Sequence, residues 1–326
     1  MRAIATAYRQ RGLDPAAALH AADIAPALLR RADGRITAAQ LEAVCLAAMQ
    51  ELDDEALGWF TRRLPWGSYG LLCRASLGAP TLEVALKRWC RHHRLLTDDV
   101  TLSLGVDSGV ATLEIDDTGL RAEGEARAFC LVTLLRYVHG YACWAIDSRV
   151  PFQGATFPHA APRHAAAYAL MFPGPVRFDA PRAGFSFDAA YLRLPLRRDE
   201  AALGTMLERA LPLTVLQYRR DRLLVQRVRE RLRHATAPET AATVAAALHV
   251  SVRTLHRQLR DEGASLQQLK DAARREHASE LLLRTRRPLK QVAADVGFRN
   301  EKSFARAFRG WTGLAPGAYR AGSGEP

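Results

Sequence analysis

Arg253, His256, Arg257 and Arg260 fall three and four residues apart, so any helix containing them shows all four on one side. A guanidinium there can donate a bidentate pair to guanine O6 and N7, and an imidazole can read an acceptor. A second group, Glu301, Lys302, Ser303 and Arg306, lies on the exposed side or edge of another predicted helix. Its carboxylate can accept from a cytosine amino group or exclude a phosphate, and its ammonium can reach guanine or phosphate. Both groups need a rigid apolar back. Val252, Leu255 and Leu259 predict one buried stripe for the first helix, and Phe304, Ala307, Phe308 and Trp311 predict one for the second.

The elements carrying these groups are duplicated. Val244-Ala-Ala246 repeats as Val292-Ala-Ala294, and Leu248 matches Val296, at an offset of 48. One extra residue in the turn makes the offset 49 for Leu255 and Phe304, Arg257 and Arg306, and Leu259 and Phe308, before the closing glycines Gly263 and Gly313. Each copy reads as a helix-turn-helix, about 241–263 and 289–313. Ser251 and Asn300 are natural N-caps, Pro288 suits a helix start and Gly297 a helix end. Between the copies, Ser265 and Gln268 form a capping-box pattern opening a continuous helix to Arg284. Its 19 or so residues span roughly 28 Å, close to the ~34 Å that separates successive major grooves on one face of a duplex. Arg274, Arg275, Arg284, Arg286, Arg287 and Lys290 are placed to anchor the phosphate backbone.

The charge distribution agrees with this division. The chain has 326 residues and a formal charge of +12, yet residues 219–326 alone hold 22 Lys/Arg against 11 Asp/Glu. A near-neutral first part joined to a strongly basic second part predicts a polyanion-binding module carried by another domain. The five cysteines all fall before residue 144 at irregular spacing, which suits reduced thiols and denies the basic part a zinc site. No apolar run is long enough for a membrane span or a signal peptide, so a cytoplasmic, nucleoid-associated protein without membrane partners is expected. Nucleophile elbow, phosphate loop and HExxH patterns are missing, so no catalytic residues, cofactor or metal are expected.

The first part reads as α+β. Helices are expected over residues 1–60, from Thr81, and from about 121 to 146, with strands at 100–104 and 110–115 around a turn at Asp107-Ser-Gly. Short strands near 152–157, 176–179 and 184–187 flank a helix near 163–172. Trp66-Gly-Ser-Tyr-Gly-Leu-Leu-Cys73 suggests a loop and short strand. Cys90-Arg-His-His93 reads as exposed basic helix surface, and His159 and His164 as loop residues. Trp66, Tyr69, Trp89, Tyr137, Tyr141 and Trp144 suit a core, though Trp66, Tyr69 and Arg74 are also the candidates for an effector pocket, the arginine as partner of a carboxylate. Residues 211–234 join the two parts, with Leu223, Leu224 and Val228 on one stripe.

The pattern Ser251-Val-Arg-Thr-Leu-His-Arg-Gln-Leu259, Gly297-Phe298, Ser303-Phe-Ala-Arg-Ala-Phe308 and Thr312-Gly-Leu-Ala-Pro-Gly-Ala-Tyr-Arg320 resembles the DNA-binding domain of the AraC/XylS family of bacterial transcription regulators. The resemblance implies an all-α domain of two helix-turn-helix motifs joined by a long helix. It places the base-reading positions on Arg253, His256, Arg257, Glu301, Lys302, Ser303 and Arg306. Gly12-Leu-Asp-Pro, Leu57-Gly58, Tyr69-Gly-Leu-Leu, Pro80-Thr-Leu-Glu-Val-Ala-Leu86, Pro175-Val-Arg-Phe178 and Leu194-Pro-Leu196 resemble the arabinose-binding-type N-terminal domain of a subgroup of that family. The combined expectation is an effector-sensing and dimerisation domain over 1–215 and a DNA-binding domain over 216–326. Such a regulator binds double-stranded DNA, a small-molecule effector, a second copy of itself and, by the resemblance, RNA polymerase as an activator. The alternatives are a repressor or a ligand-independent DNA binder. A DNA repair methyltransferase with a similar domain would need a Pro-Cys-His-Arg cysteine, and none of the five cysteines has that setting.

Overall fold

A computed structural model describes residues 1–31, 34–208, 210–211, 218, 223–235, 239–262 and 264–321. The chain divides into two compact units, Met1–Arg220 and Asp221–Pro326.

The first unit opens with helices α1 (Arg2–Gln10), α2 (Ala16–Ala21) and α3 (Ala38–Glu51), the last held by a Thr37/Gln40 capping box. Two further helices follow, α4 (Ser68–Leu77) and α5 (Leu82–Leu96). Strands β1 (Thr101–Asp107) and β2 (Val110–Asp116) form the expected hairpin, with Ser108 and Gly109 both at positive φ. Then come α6 (Gly124–Ala145), β3 (Gly154–Thr156), α7 (Ala166–Met171), β4 (Val176–Arg177), β5 (Ala183–Asp188) and α8 (Glu200–Glu208). The strands make one sheet in the order β1-β2-β5-β3-β4, antiparallel except for the β3–β4 pair. The C-terminal half of α6, from Leu134 to Ala145, is almost continuously buried. All five cysteines are buried and none is in a disulfide, and no helix among the described residues is long and apolar enough to cross a membrane.

Three expectations are corrected here. The loop and strand expected near Trp66–Cys73 are the start of α4, whose buried residues Ser68, Leu72, Cys73 and Ser76 recur at helical spacing. Gly67 makes the turn at φ +99°, and the Glu55 carboxylate accepts from Gly67 N at 2.7 Å and Tyr69 N at 2.6 Å, capping the helix from 12 residues upstream. Trp66, just outside that turn, is 47% exposed and does not join the core. Cys90 and His93 are buried instead of exposed. They continue the inward stripe Leu82, Ala85, Leu86, Trp89 of α5, which Thr81 caps as expected.

The second unit contains α9 (Leu224–Arg233), α10 (Ala241–Ala247), α11 (Val252–Asp261), α12 (Leu266–Arg284), α13 (Leu289–Asp295), α14 (Glu301–Thr312) and α15 (Pro316–Ala321). It has two apolar cores. The first gathers Leu224, Val225 and Val228 of α9 with Val244, Ala245, Leu255, Leu259, Leu266 and Leu269. The second gathers Ala278, Leu282, Val292, Ala293, Val296, Phe304 and Phe308. The long α12 contributes its first turn to one core and its last two turns to the other. The segment joining the two parts in sequence therefore supplies a working helix of the first core.

Glu262, at the end of α11, accepts from Leu224 N at 2.8 Å and Val225 N at 2.7 Å and so caps α9. Glu262→Ala leaves two buried-end donors without a partner and is expected to cost about 1–3 kcal/mol, read as a lower urea midpoint. A loss of less than about 0.5 kcal/mol would show that the cap is dispensable.

Candidate nucleic-acid interface

The two copies in the second unit are built alike, down to their backbone. Val244 and Ala245 are 0% and 2% exposed, and their counterparts Val292 and Ala293 are 0% and 1%. Leu255 and Leu259 match Phe304 and Phe308, all four at 0%. His249 at φ +55° makes the turn in the first copy and Gly297 at φ +83° in the second. Gly297 adopts that conformation freely, whereas His249 is one of the few non-glycine residues held there. The bond closing each turn is equivalent, Val250 N to Ala245 O at 3.0 Å and Phe298 N to Ala293 O at 2.8 Å. Arg299 is the extra residue of the second turn.

Each following helix has the cap its sequence promised. Ser251 Oγ accepts from Thr254 N at 3.0 Å, and Asn300 Oδ1 from Ser303 N at 2.8 Å. With the caps fixed, the outward faces are fixed too. Arg253, His256, Arg257 and Arg260 are exposed on α11, and Glu301, Lys302, Arg306 and Arg309 on α14, with Ser303 half-buried at its edge. No ion pair or hydrogen bond from another described residue engages the charged ends of Arg253, Arg257, Lys302 or Arg306. Their donors are therefore uncommitted and available to an external acceptor.

The cations of the connecting region behave differently. Arg274 lies 5.5 Å from the Phe298 ring and 3.8 Å from Asp271, Arg284 pairs with Glu280 at 3.0 Å, and Arg287 with Asp295 at 2.7 Å. Arg274 and Arg287 are thus partly spent on holding the second copy and its junction with α12, whereas Arg284 pairs within α12 itself. Arg275, Arg286 and Lys290 are exposed. Val252 is a further correction: it is 40% exposed at the first turn of α11 and does not complete the buried stripe. The stripe closes with Leu255 and Leu259, because a residue immediately after the cap points away from a core reached one turn later. An exposed valine beside Arg253 offers an apolar contact of the kind a thymine methyl accepts. Arg299 and Val252 are interface candidates that the pattern of periodic residues did not single out; the inserted turn residue and the first-turn position were the available signals.

The effector-pocket candidates do not form one site. Trp66 is exposed, and Arg74 is exposed and paired with Glu200 at 2.6 Å. Tyr69 points inward, its ring 5.6 Å from Trp89 and 5.3 Å from Tyr137.

Comparison with known proteins accords with this geometry. Residues 12–196, more than half of the chain, match the arabinose-binding domain of AraC transcription regulator, N-terminal, and residues 244–322 match a helix-turn-helix domain. The ornithine utilization regulator of Pseudomonas aeruginosa is 28% identical over 312 residues, covering 95% of this chain and 91% of that protein. The HTH-type transcriptional regulator VirS of Mycobacterium tuberculosis is 25% identical over 325 residues, covering 97% and 93%. The solved structure of the transcriptional regulator CdpR from Pseudomonas aeruginosa aligns over 94% of this chain and 96% of its own, with 21% identity and a TM-score of 0.36. This chain belongs to the AraC/XylS family and is a DNA-binding transcription regulator.

Proposed function

We propose that the regulator is an effector-responsive activator whose residues 216–326 bind a bipartite site through two helix-turn-helix motifs held apart by α12. The observation that carries this reading is the repeated unit itself: equal burial behind each second helix, a side-chain cap at its start, and uncommitted cations on its outward face. Arg253 and Arg257 read guanine from α11, with His256 beside them; Lys302, Ser303 and Arg306 contact bases or phosphate from α14, and Glu301 disfavours the wrong partner. Arg260, Arg275, Arg286, Lys290 and Arg299 anchor phosphates. Residues 1–215 sense the effector and dimerise, and the effector shifts the population of DNA-competent arrangements. Contact with RNA polymerase then raises transcription at the nucleoid, without a catalytic step by this chain.

Arg253→Ala and Arg257→Ala test the assignment. Each is expected to weaken the specific complex by about 1–3 kcal/mol and to relax preference at one base pair. Fluorescence anisotropy on a set of single-base variants of the site distinguishes this from phosphate anchoring, which weakens all sequences equally. Lys302→Ala offers the comparison: a phosphate contact there lowers the salt slope by about one unit and leaves sequence preference unchanged.

A further inference from the structure

Strand β1 is one edge of the sheet and β4 is the other. An open edge offers unpaired amides to any other strand, so folded proteins blunt it with Lys, Pro, bulges or brevity. The β4 edge follows that rule: it is two residues long, contains Arg177 and begins just after Pro175. The β1 edge does not. Its seven residues, Thr101-Leu-Ser-Leu-Gly-Val-Asp107, include no Lys, Arg or Pro, and they pair with β2 in one unbroken register.

The hairpin decides which amides are open. Its two-residue turn makes Asp107 and Val110 a hydrogen-bonded pair, and alternation then points the amides of Thr101, Ser103, Gly105 and Asp107 at β2. The N–H and C=O groups of Leu102, Leu104 and Val106 therefore point outward, and no backbone group among the described residues bonds them. Their side chains share one face of the sheet, where burial declines toward the turn. Leu102 is 3% exposed, Leu104 half-buried and Val106 54% exposed. The other face carries Thr101, Ser103, Gly105 and Asp107, all exposed, and a Cβ placed on Gly105 would meet nothing within 4 Å.

Such a strand is complementary to itself. About a two-fold axis at Leu104, an antiparallel copy sets Leu102 opposite Val106, Leu104 opposite Leu104, Ser103 opposite Gly105 and Thr101 opposite Asp107. Only this axis pairs all the outward-facing residues with one another, so that every outward N–H meets an outward C=O. On the apolar face, the bare Val106 of one copy meets the well-packed Leu102 of the other. On the polar face, Asp107 is the strand's only charge and meets the Thr101 hydroxyl. The two Asp107 carboxylates lie at opposite ends of the junction, about 20 Å apart. Arg182 already holds the neighbouring β2 carboxylates Glu114 and Asp116, at 3.8 and 3.4 Å. We propose that two copies of this chain associate through β1, edge to edge, so that their sheets become one. The proposal rests on the reading that the first unit dimerises, and it names the surface and the register.

The test uses the full-length chain. The wild type is expected to sediment as a dimer in analytical ultracentrifugation. Val106→Pro removes one outward donor and spares the bonds to β2, the edge setting in which a strand accepts proline. It is expected to raise the dimer dissociation constant about tenfold or more, with Tm little changed. Cross-linking reads the register. Ser103 and the other copy's Gly105 form a non-hydrogen-bonded pair, whose Cα atoms lie about 4.5 Å apart, within disulfide range. An oxidised mixture of Ser103→Cys and Gly105→Cys proteins is expected to give covalent mixed dimer. Either variant alone sets its thiols on a diagonal of about 7–8 Å and is expected to give little. The native cysteines are all buried and do not compete. With a dimeric wild type, a folded Val106→Pro that stays dimeric, or a mixture that cross-links no better than its components, would overturn the β1 interface and leave dimerisation standing. Should the proline variant not fold, the cross-link alone decides. A wild type that stays monomeric at every concentration removes the dimer reading, and this proposal with it.

Discussion

Phe308→Ala is expected to lower the stability of the DNA-binding unit by about 3–5 kcal/mol. Phe308 is fully buried, with its ring 5.6 Å from Phe304 and 5.2 Å from Tyr319, at the centre of a core of only seven buried residues. Removing the ring loses its transfer free energy and leaves a cavity that Val292, Ala293 and Ala278 are too small to fill. A domain of this size is typically stable by about 5–15 kcal/mol, so a large share of its margin disappears. The functional consequence follows from geometry: α14 has no other apolar anchor of that size toward its C-terminal half, since Trp311 is only half-buried. DNA affinity should fall to what the first copy alone supports. Urea unfolding of wild type and variant, with anisotropy below the melting temperature, measures both. Leu259→Ala in the other core is the matched control, expected to cost about 2–5 kcal/mol and to spare the second half-site. A loss below about 1 kcal/mol for Phe308→Ala would mean that the core is looser than its burial indicates.

The second large effect is that of salt. Residues 219–326 carry 22 Lys/Arg against 11 Asp/Glu. Ion pairs such as Arg231–Glu239, Arg284–Glu280 and Arg287–Asp295 remove several of these from use. If about six of the remaining cations meet phosphates, the slope of log K against log salt is about −5, and affinity falls roughly a thousandfold between 50 and 200 mM. The specific and non-specific complexes share most of this dependence, because only a few contacts read bases. Anisotropy titrations at four salt concentrations give the slope. A value near zero would contradict the electrostatic basis of binding, and a value near −1 would leave room for only one phosphate contact.

The DNA-binding unit was legible in sequence because its determinants are local. Caps, turn and apolar stripe all lie within some twenty residues, and duplication presents each of them twice. Ser251 and Asn300 cap as their types and positions require, and the four aligned Leu and Phe residues are equally buried. Val252 was misplaced because periodicity alone does not register that the first turn of a helix can run past the edge of the core. The start of α4 was misread for a different reason. Its cap is Glu55, 12 and 14 residues upstream of the two N–H groups it binds, so no capping residue stands where a local pattern would place it. Tyr-Gly-Leu-Leu then passes for a strand. The ring contacts of Tyr69 with Trp89 and Tyr137 are the least local feature of all, since only the packing of α4, α5 and α6 brings the three side chains together. His93 could have been found earlier, since it falls on the same inward stripe as Leu86 and Trp89.

Selection of duplexes from a random pool by the wild-type protein and by Arg257→Ala tests the central claim most directly. The wild type should enrich a bipartite motif, two short blocks with centres about 10 base pairs apart, with guanine at a fixed position in the block read by α11. Arg257→Ala should enrich the same motif with that one position randomised. A wild-type pool with no enriched motif, or a variant motif indistinguishable from the wild type, would contradict base reading by the duplicated unit.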